Sequence, residues 1–450
     1  MAKYKMYPEY KDSDIEWLGK IPSGWLLKKA KYIFQRVQRP LRDIDGVVTA
    51  FRDGQVTLRT NRRTDGFTNS VKEIGYQGVR RNDLVIHAMD GFAGAIGVSD
   101  SDGKCSPVCS VCIPWQDQPL NMRFYGYLVR QLAVTDFILS LAKGIRERST
   151  EFRFNEFSGL MLPIPPVYEQ DQIAKFLDHE TAKIDNLIEK QQQLIELLKE
   201  KRQAVISHAV TKGLNPDVPM KDSGVEWLRD VPKHWIPARL KYHTRQIVDG
   251  AHFTPTYTEK GIPFLRVTDI QDKYIDFDNI KFIPEHEHKE LIKRCRPENG
   301  DLLLSKNGTI GVPKLVDWDW EFSIFVSLCL IKFKGTLTPE YSEFYFKSHE
   351  IKEQVFGLIK QSTVINLHLD KIQNFWFCIP PLEEQYKIVN YLNEKIDTLE
   401  CLIESAELTI RLAQERRTAL ISAAVTGKID VRDWVAPDTQ DVEEPQEATA

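Results

Sequence analysis

The residues of this sequence best suited to chemistry are basic and amide side chains that gather in short polar loops. Arginine and lysine bind phosphates, arginine also makes two-point contacts to guanine, and asparagine or glutamine matches adenine. In the first half of the chain the candidate DNA contacts are Arg52, Arg59, Arg62, Arg63, Lys104, Arg146, Arg148 and Arg153. In the second half they are Thr254, Tyr257, Arg266, Arg294, Lys306, Asn307, Thr309, Lys360, Thr363 and Asn366. One such loop is commonly a solvated surface, but several in each half favour DNA binding.

Familiar catalytic motifs are missing from the sequence. No Gly-x4-Gly-Lys-Ser/Thr phosphate loop occurs. The segment Asn215-Pro216-Asp217 lacks the second proline and the aromatic ring of an amino-methyltransferase box. A nuclease reading of Asp301 to Lys306 fails because Leu304 stands where a metal-binding acid is needed. We therefore predict no catalytic residue and a chain that is not an enzyme.

A metal site is the remaining route to enzymatic activity, and the sequence does not favour one. Cys105, Cys109 and Cys112 lie close together, yet no second pair or spaced histidines complete a tetrahedral zinc site. His286 and His288 lack further ligands, so we expect them to lie in a solvated loop. We expect the three cysteines to be small buried thiols and the chain to bind no metal. The alternative, an enzyme with a hidden active site, would require these cysteines to bind a metal ion.

Two long segments must position these loops, and they are copies of each other. Residues 164–214 and 379–429 align without a gap, with about 20 of roughly 51 positions identical. Each begins with Ile-Pro-Pro, and glycine follows at Gly213 and Gly427. Proline precedes a helix but does not continue one, and glycine commonly ends one. The segments therefore predict two long helices.

The apolar residues of both segments recur at intervals of three and four, which indicates a coiled-coil-like stripe. The residues that we assign to helix pairing and partner docking are Ile173, Leu177, Ile184, Leu187, Leu194, Leu198, Ile388, Leu392, Leu399, Leu402, Ile403, Ile410 and Leu420. A second row, including Ile195, Ala209 and Ala424, widens the stripe. A core helix of a larger domain is the alternative, but a paired spacer fits two equivalent stripes better.

A second repeat begins each half, so the whole chain is a tandem duplication. Trp17, Leu18, Pro22 and Trp25 match Trp227, Leu228, Pro232 and Trp235, and we expect the aromatic pair to anchor a loop against a domain or helix end. The predicted segments are a head at 1–32, a module at 33–163, a helix at 164–214, a second head at 215–242, a second module at 243–378, a second helix at 379–430 and an acidic disordered tail at 431–450. Short β-type runs and interleaved helices predict α+β modules with a mostly antiparallel sheet.

Composition sets the broad class of the protein. The chain has 450 residues, seven cysteines without framework spacing and a net charge of −4. No window approaches 18 apolar residues, so we expect no membrane span and no exported precursor, and a cytoplasmic location. The two modules resemble each other less than the helices do, which is what two different DNA targets require.

The chain resembles the specificity (S) subunit of type I restriction-modification systems. The resemblance rests on Lys221-Asp-Ser-Gly-Val-Glu-Trp-Leu228 with Trp235, on both Ile-Pro-Pro-x-x-Glu-Gln motifs, on Leu302-Leu-Leu-Ser-Lys-Asn-Gly-Thr309, on Gly144-Ile-Arg-Glu-Arg148 and on Gly261-Ile-Pro-Phe-Leu-Arg266. It covers roughly residues 8–430. The first copy departs from the second at Val167-Tyr168, where the second has Leu382-Glu383.

The resemblance implies two target-recognition domains, each reading one half of a split and asymmetric double-stranded DNA site. It implies that the long helices pair antiparallel with pseudo-two-fold symmetry, set the spacer and dock two methyltransferase (M) subunits. Two restriction (R) subunits would complete the assembly. S-adenosylmethionine, ATP and Mg²⁺ would belong to these partners, with no cofactor on this chain. The alternative is a coiled-coil scaffold that binds only proteins, whose arginines serve solubility.

Overall fold

The computed structural model of the chain describes residues 4–62, 74–115, 118–135, 137, 152–271, 274–359 and 367–437. The chain divides into two compact units. The first consists of Met1–Lys190 with Leu408–Ala450, and the second is the continuous segment Gln191–Glu407. The division therefore falls inside both predicted long helices, and the first unit contains both ends of the chain.

In the residues that the structure describes, the first unit is built from short strands, two short α-helices and parts of two long ones. Its strands are β1 Tyr10–Asp12, β2 Lys20–Pro22, β3 Leu26–Lys29, β4 Phe34–Val37, β5 Val48–Ala50, β6 Val56–Leu58, β7 Gln77–Val79, β8 Leu84–His87, β9 Ile96–Val98, β10 Gly103–Cys105, β11 Cys109–Pro114 and β12 Met161–Ile164. The short helices are α1 Met122–Val134 and α2 Phe154–Gly159. The first long helix, α3, runs over Val167–Lys212.

The second unit repeats this arrangement with additional elements. Its strands are β13 Met220–Asp222, β14 Asp230–Pro232, β15 Ile236–Arg239, β16 Thr244–Asp249, β17 Ile262–Leu265, β18 Lys281–Ile283, β19 Leu302–Ser305, β20 Pro313–Leu315, β21 Ser323–Ile324, β22 Leu328–Phe333 and β23 Trp376–Ile379. Its short helices are α4 Glu285–Leu291, α5 Pro339–Lys347, α6 His349–Ile359 and α7 Leu369–Ile372. The second long helix, α8, runs over Leu382–Val425.

A four-stranded antiparallel sheet forms the centre of each module, and the two sheets have the same order. The first is β4-β11-β8-β9 and the second is β16-β22-β19-β20. The third strand of each sheet follows an aspartate that accepts a backbone hydrogen bond, Asp83 from Arg80 at 2.7 Å and Asp301 from Glu298 at 2.8 Å. The predicted α+β duplication with mostly antiparallel pairing is confirmed, and β17–β21 is a parallel exception.

The long helices pair in each unit through the predicted apolar stripe. In the first unit Phe176 and Ile184 of α3 share a core with Leu420 of α8. In the second unit Ala209 of α3 shares a core with Ile388 of α8. The first half of each helix thus meets the second half of the other, so the helices are antiparallel within each unit.

Both head repeats fix the start of one long helix to the end of the other. Trp25 is fully buried and its Nε1 donates to Glu169 Oε2 at 2.8 Å, in the first turn of α3. Gly427, just past α8, has a φ of +72°, and a Cβ there would lie 3.1 Å from the Trp25 ring. Trp235 is placed in the same way, 2.7 Å from Glu384 in the first turn of α8. The expectation of an anchor against a helix end is confirmed for Trp25 and Trp235, whereas Trp227 is 44% exposed.

The interleaved helices of the second module include α5 and α6, which are separated at Ser348. This residue has extended backbone angles and accepts a hydrogen bond from the Ile351 backbone N–H. The structure also corrects one prediction made from the sequence. The predicted disordered tail does not begin at residue 431, because Val431 is buried and Trp434 packs edge-on against Phe176 with ring centroids 5.4 Å apart. Residues 438–450 lie outside the described residues.

Candidate nucleic-acid interface

Three of the predicted loops of the second module meet at Asp249, the last residue of β16. The Asp249 carboxylate accepts hydrogen bonds from Lys306 Nζ at 2.9 Å, Arg294 Nη2 at 2.5 Å and His252 Nε2 at 3.0 Å. Sequence reasoning selected Lys306 and Arg294 from loops 57 and 45 residues away from Asp249 along the chain. The structure therefore brings these loops into one cluster around a single acid.

The Asp249 cluster is a fixed, largely shielded ion-pair network. Burial alone would raise the pKa of the Asp249 carboxyl, but hydrogen bonds from Lys306, His252 and Arg294 outweigh that effect and hold this pKa at about 2. The side chains of Lys306 and Asp249 are only 6% and 7% exposed, whereas that of Arg294 is 54% exposed. Lys306 therefore holds the loops together, and Arg294 is the member of the cluster that presents charge to solvent.

Arg266 is another candidate whose guanidinium is held by an acid. It forms an ion pair with Asp269 at 2.7 Å and donates to the Asn279 carbonyl at 2.9 Å. The hydrogen bond to Asp269 raises the pKa of Arg266 further above its ordinary value. Since Asp269 is fully buried, this pair fixes the segment that follows β17.

The remaining described candidates of the second module lie on the loops around this cluster. Thr254 and Tyr257 are exposed on the segment before β17, and the Tyr257 ring packs on Phe264 with centroids 6.3 Å apart. Thr309 is exposed, and its carbonyl accepts a hydrogen bond from Ser305 Oγ at 2.5 Å. Asn307 Oδ1 is buried and has no hydrogen-bond partner among the described residues. These positions leave each of the four available as a predicted contact.

In the first module the candidates concentrate on the hairpin of β5 and β6. Arg62 forms an ion pair with Asp53 at 2.7 Å and lies over the Phe51 ring, 4.3 Å from its centroid. Arg52 pairs with Asp90 at 2.7 Å and remains 69% exposed. Arg59 Nε donates to Thr49 Oγ1 at 3.3 Å. The hairpin thus presents a group of oriented arginines at the surface.

The other candidates of the first module lie on separate elements. Lys104 lies on β10, whose backbone pairs with β7, and it is half-buried. Arg153 is exposed at the start of α2, where its backbone N–H donates to Glu156. Six candidates fall outside the described residues, namely Arg63, Arg146, Arg148, Lys360, Thr363 and Asn366.

Sequence reasoning collected the basic residues and missed the acids that orient them. Asp249, Asp269, Asp53 and Asp90 each hold a candidate arginine or lysine in place. A local signal existed for Asp269, which lies three residues after its arginine. Only the fold reveals the partners at long separation, such as Asp90 for Arg52.

The helix stripe is buried over most of its length but not everywhere. The predicted residues that are buried are Ile173, Leu177, Ile184, Leu198, Ile388, Leu392, Leu399 and Leu420, with Ile403 and Ile410 half-buried. Leu187, Leu194 and Leu402 are between 41% and 49% exposed, while Ile195 of the second row is buried. An α-helix drifts relative to a strict seven-residue repeat, so the buried line passes from one row to the next. The three exposed leucines are therefore not the centre of the helix pairing.

The three clustered cysteines are buried as expected, but the prediction of a solvated loop at His286 and His288 is wrong, because both lie on α4 and His288 is buried. Cys105, Cys109 and Cys112 are buried, and burial raises the pKa of the Cys112 thiol to about 12. His288 is buried with its Nδ1 2.9 Å from Ser323 Oγ. Within the described part of the chain, no three histidines, cysteines or acids lie close enough together to hold a metal ion.

Comparison with known proteins identifies the kind of molecule to which these modules belong. A family profile described as the type I restriction modification DNA specificity domain matches residues 253–408, which include the Asp249 cluster's Arg294 and Lys306 loops. The chain is 24% identical over 416 residues to the type I restriction enzyme EcoKI specificity subunit of Escherichia coli K12, with 86% of each chain covered. It is also 24% identical to the EcoBI specificity subunit of E. coli over 369 residues, covering 79% of this chain and 75% of the other.

The profile and these relatives together make the chain similar to type I specificity subunits over most of its length. Solved structures agree with its fold. A chain from a study of complex assembly and conformational transition of the type I R-M system superposes with a TM-score of 0.71 at 16% identity, covering 91% of this chain and 99% of that one. The HsdS subunit from Thermoanaerobacter tengcongensis gives 0.54 at 17% identity, covering 93% and 100%.

The similarity to type I specificity subunits bears on the expectations from the sequence. The expectation of a non-catalytic subunit is confirmed by the names of the relatives, which are specificity subunits. The structure also contains no helix, in the part that it describes, with the length and apolar character needed to span a bilayer. The family name matches the resemblance drawn from the Ile-Pro-Pro-x-x-Glu-Gln and tryptophan motifs.

Proposed function

We propose that this specificity subunit reads a bipartite, asymmetric double-stranded DNA site, with one half-site bound by each module. Two long helices would set the gap between the half-sites and dock two methyltransferase subunits. The assembly would direct adenine methylation and, with two restriction subunits, cleavage of unmodified DNA. S-adenosylmethionine, ATP and Mg²⁺ would be bound by these partners, and this chain would supply recognition.

One observation carries this proposal: the same four-stranded sheet occurs in both units, but the loops around it differ. The first sheet is accompanied by the arginine-bearing β5–β6 hairpin, with Arg52 and Arg62 held by Asp90 and Asp53. The second is accompanied by the loops that converge on Asp249. A common scaffold with different oriented side chains is what reading two unlike base sequences requires.

Partner docking is supported by apolar residues that the helix pairs leave uncovered. In the second unit Leu194 and Leu197 are 41% and 62% exposed. In the first unit Leu408 and Leu412 are also exposed. Exposed leucines in groups are a common mark of a protein-binding surface. The protein-only scaffold would use the same leucines, but it gives no role to the arginines oriented by acids on both modules.

A map of modified adenines tests this function directly. The chain would be co-expressed with its methyltransferase subunit in a host without DNA methylation, and the genome would be sequenced for modified adenines. We expect a single split motif with two unlike halves and a fixed gap. A stable complex with the partner but no modified adenine would favour the scaffold. Modification of a continuous, unsplit motif would contradict the reading by two modules.

A further inference from the structure

The first unit contains a cavity of about 810 Å³ that the recognition surfaces do not account for. Its walls are the turn between β5 and β6, the strand β9, the helix α1 and parts of both long helices. This volume lies within the range of pockets that bind small molecules. The cavity is built entirely from residues of the first unit.

Four arginines and four aspartates line this cavity, and half of them form ion pairs with each other. Asp178 pairs with Arg123 at 2.7 Å. Asp185 accepts two hydrogen bonds from Arg417, at 2.8 and 3.2 Å. Two further aspartates at the cavity are also engaged, Asp53 with Arg62 at 2.7 Å and Asp100 with the Ser101 hydroxyl at 2.5 Å.

Two arginines of the cavity lack an acidic partner. Arg81 and Arg130 form no ion pair with any residue that the structure describes, although both line the wall. Asp100 is the one lining aspartate without a cationic partner among the described residues, so the two unpaired arginines outnumber it by one. An anion is the ligand that would balance this excess of positive charge.

Arg130 carries the strongest sign of a missing ligand. Its Nη2 donates weakly to the Arg52 carbonyl at 3.4 Å, but its Nε is buried and meets no acceptor among the described residues. Burial, together with the charge of Arg417, lowers the pKa of this guanidinium. A buried donor without an acceptor is costly, and native proteins rarely keep one without a reason.

The turn beside Arg130 is shaped to admit its side chain. Gly54 has a φ of +91°, and a Cβ at that position would lie 2.2 Å from Arg130 Cδ. Only glycine leaves room for the side chain against this turn, which also carries Arg52 and Asp53. The close fit holds the guanidinium at the cavity wall.

We propose that this cavity binds a phosphate group and that the Arg130 guanidinium is its principal ligand. The planar guanidinium matches phosphate oxygens with two parallel donors. Arg81, on the same wall, would add a second positive charge. The phosphate has two possible sources, a strand of bound DNA or a free phosphate compound. The first source rests on the proposed function, because the β5–β6 turn carries predicted DNA contacts, whereas the second does not.

The test uses the full chain in complex with its methyltransferase subunit. Inorganic phosphate is titrated at constant ionic strength by calorimetry and by thermal unfolding, with potassium chloride as the reference salt. Arg130→Gln is compared with Arg411→Gln, which removes one exposed charge from α8, outside the cavity wall. The slope of DNA affinity against salt concentration is then measured for the same three proteins.

We expect saturable phosphate binding and a rise in unfolding temperature for the wild type and for Arg411→Gln, both lost in Arg130→Gln. If Arg130→Gln also reduces the salt slope by about one relative to Arg411→Gln, a DNA phosphate occupies the site. An unchanged slope with lost phosphate binding assigns a free phosphate compound. The proposal is overturned if the wild type shows no saturable phosphate binding and the slopes agree, or if Arg130→Gln retains the binding.

Two features keep this test decisive. If Arg130→Gln does not fold, the phosphate titration of the wild type and of Arg130→Lys still tests the proposal. Lysine keeps the positive charge but lacks the two parallel donors, so Arg130→Lys should bind phosphate several-fold more weakly. The phosphate titration requires no DNA, and the adenine modification map requires no phosphate ligand. Failure of this site is therefore distinguishable from failure of the proposed recognition function.

Discussion

At the scale of residues, the recognition surfaces are organised by acids that hold basic side chains. Asp249 collects Lys306, Arg294 and His252, and Asp269 holds Arg266. An arginine fixed by an acid loses less conformational freedom on binding, because its rotamer is already selected. In the proposed DNA recognition, these acids would position the donors.

Replacing Lys306 should destabilise the second module more than replacing a surface basic residue. Lys306→Met leaves the nearly buried Asp249 with fewer partners, so we expect a loss of about 3 kcal/mol in the free energy of unfolding. Arg294→Met is the matched control and should lose at most about 1 kcal/mol, because Arg294 is half exposed. Denaturant titration of both variants measures the difference, and equal losses would contradict the shielding of the Lys306 pair.

The same denaturant titration, repeated at acidic pH, tests whether the ion pairs of Asp249 cause this loss of stability. The folded-state pKa of Asp249, about 2, lies below the ordinary value for an aspartate, about 3.9. Its contribution to stability is therefore present above about pH 4 and lost as the pH falls towards 2. In Lys306→Met this loss should be smaller, because the folded-state pKa moves back towards the ordinary value.

Reversing the charges of the β5–β6 hairpin should weaken DNA binding by the complex. Arg52→Glu with Arg62→Glu places two negative charges at the predicted surface, and we expect at least a tenfold loss of affinity at physiological salt. Lys20→Glu with Lys28→Glu, both exposed in the first head repeat, is a control for net charge. Fluorescence anisotropy with a target duplex measures the affinities. Unchanged binding in the hairpin variant would support a protein-only scaffold.

At the scale of elements, the head repeats explain why the Ile-Pro-Pro-x-x-Glu-Gln motif occurs twice. In each copy the glutamate carboxylate accepts a hydrogen bond from the indole N–H of a buried tryptophan. Each glutamine amide donates to the carbonyl of its own first motif proline, Gln170 to Pro165 at 2.8 Å and Gln385 to Pro380 at 2.9 Å. The glutamine side-chain oxygen accepts a hydrogen bond from the backbone N–H of the residue that precedes α1 in the first copy and α5 in the second. The motif therefore joins a long helix to its module and its head.

Removing one tryptophan donor should loosen this joint. Trp235→Phe deletes the hydrogen bond to Glu384 and leaves a small void, and we expect a loss of about 2 kcal/mol in the free energy of unfolding. Trp227→Phe, in the same head but 44% exposed, should change it by less than about 0.5 kcal/mol. Thermal and denaturant unfolding of the two variants would separate them, and similar losses would argue against an anchoring role for Trp235.

Lengthening both long helices together should lengthen the gap in the DNA target. Seven residues would be inserted after Lys190 and seven after Glu407, so that the apolar repeat continues in both helices. At about 1.5 Å per residue, the added length of roughly 10 Å corresponds to about three base pairs. The modification map should show both half-sites unchanged and the gap increased.

A matched insertion shows whether helix pairing matters for this result. Four residues inserted after Lys190 alone would shift the α3 stripe against α8, and we expect this variant to lose stability and modification. An unchanged gap in the double insertion would remove the helices as the element that sets the spacing.

The sequence predicted the helices and the duplication well because both depend on local patterns. Apolar spacing and the flanking proline and glycine located α3 and α8 within a few residues. Strand order, the parallel β17–β21 pair and the acid partner of Lys306 depend on contacts between distant segments, which periodicity does not report. The sequence also did not predict the exposure of Leu187 and Leu402. Their exposure depends on which of the two apolar rows faces the other long helix at each point along the helix.

At the scale of the whole molecule, the chain forms two units with separate cores, and in the proposed function each unit reads one half-site. The first unit's core includes residues from both chain ends, such as Trp25 and Val431, and the second unit's core lies within residues 206–392. Because each module keeps its own sheet and its own oriented side chains, the modules should be exchangeable.

Replacing residues 33–160 with the corresponding module of another specificity subunit should change one half of the DNA motif only. The reason is that the second module and its Asp249 cluster remain intact. The modification map of the hybrid is the measurement, and exchange of residues 243–378 is the reciprocal control, expected to change the other half. A hybrid in which both halves changed would show that the modules do not read DNA independently.

The assignment of both chain ends to the first unit has a consequence for biosynthesis. During translation the second unit is complete once residue 407 has emerged, whereas the first still lacks Ala413, Leu420 and Val425 of its core. The unit that is encoded first must therefore finish folding last, with its half of α3 exposing an apolar stripe in the meantime. Growing chains of this kind expose aggregation-prone surface to chaperones and early-arriving subunits. The order of genes and the timing of partner synthesis would then influence how much of the protein reaches its native state.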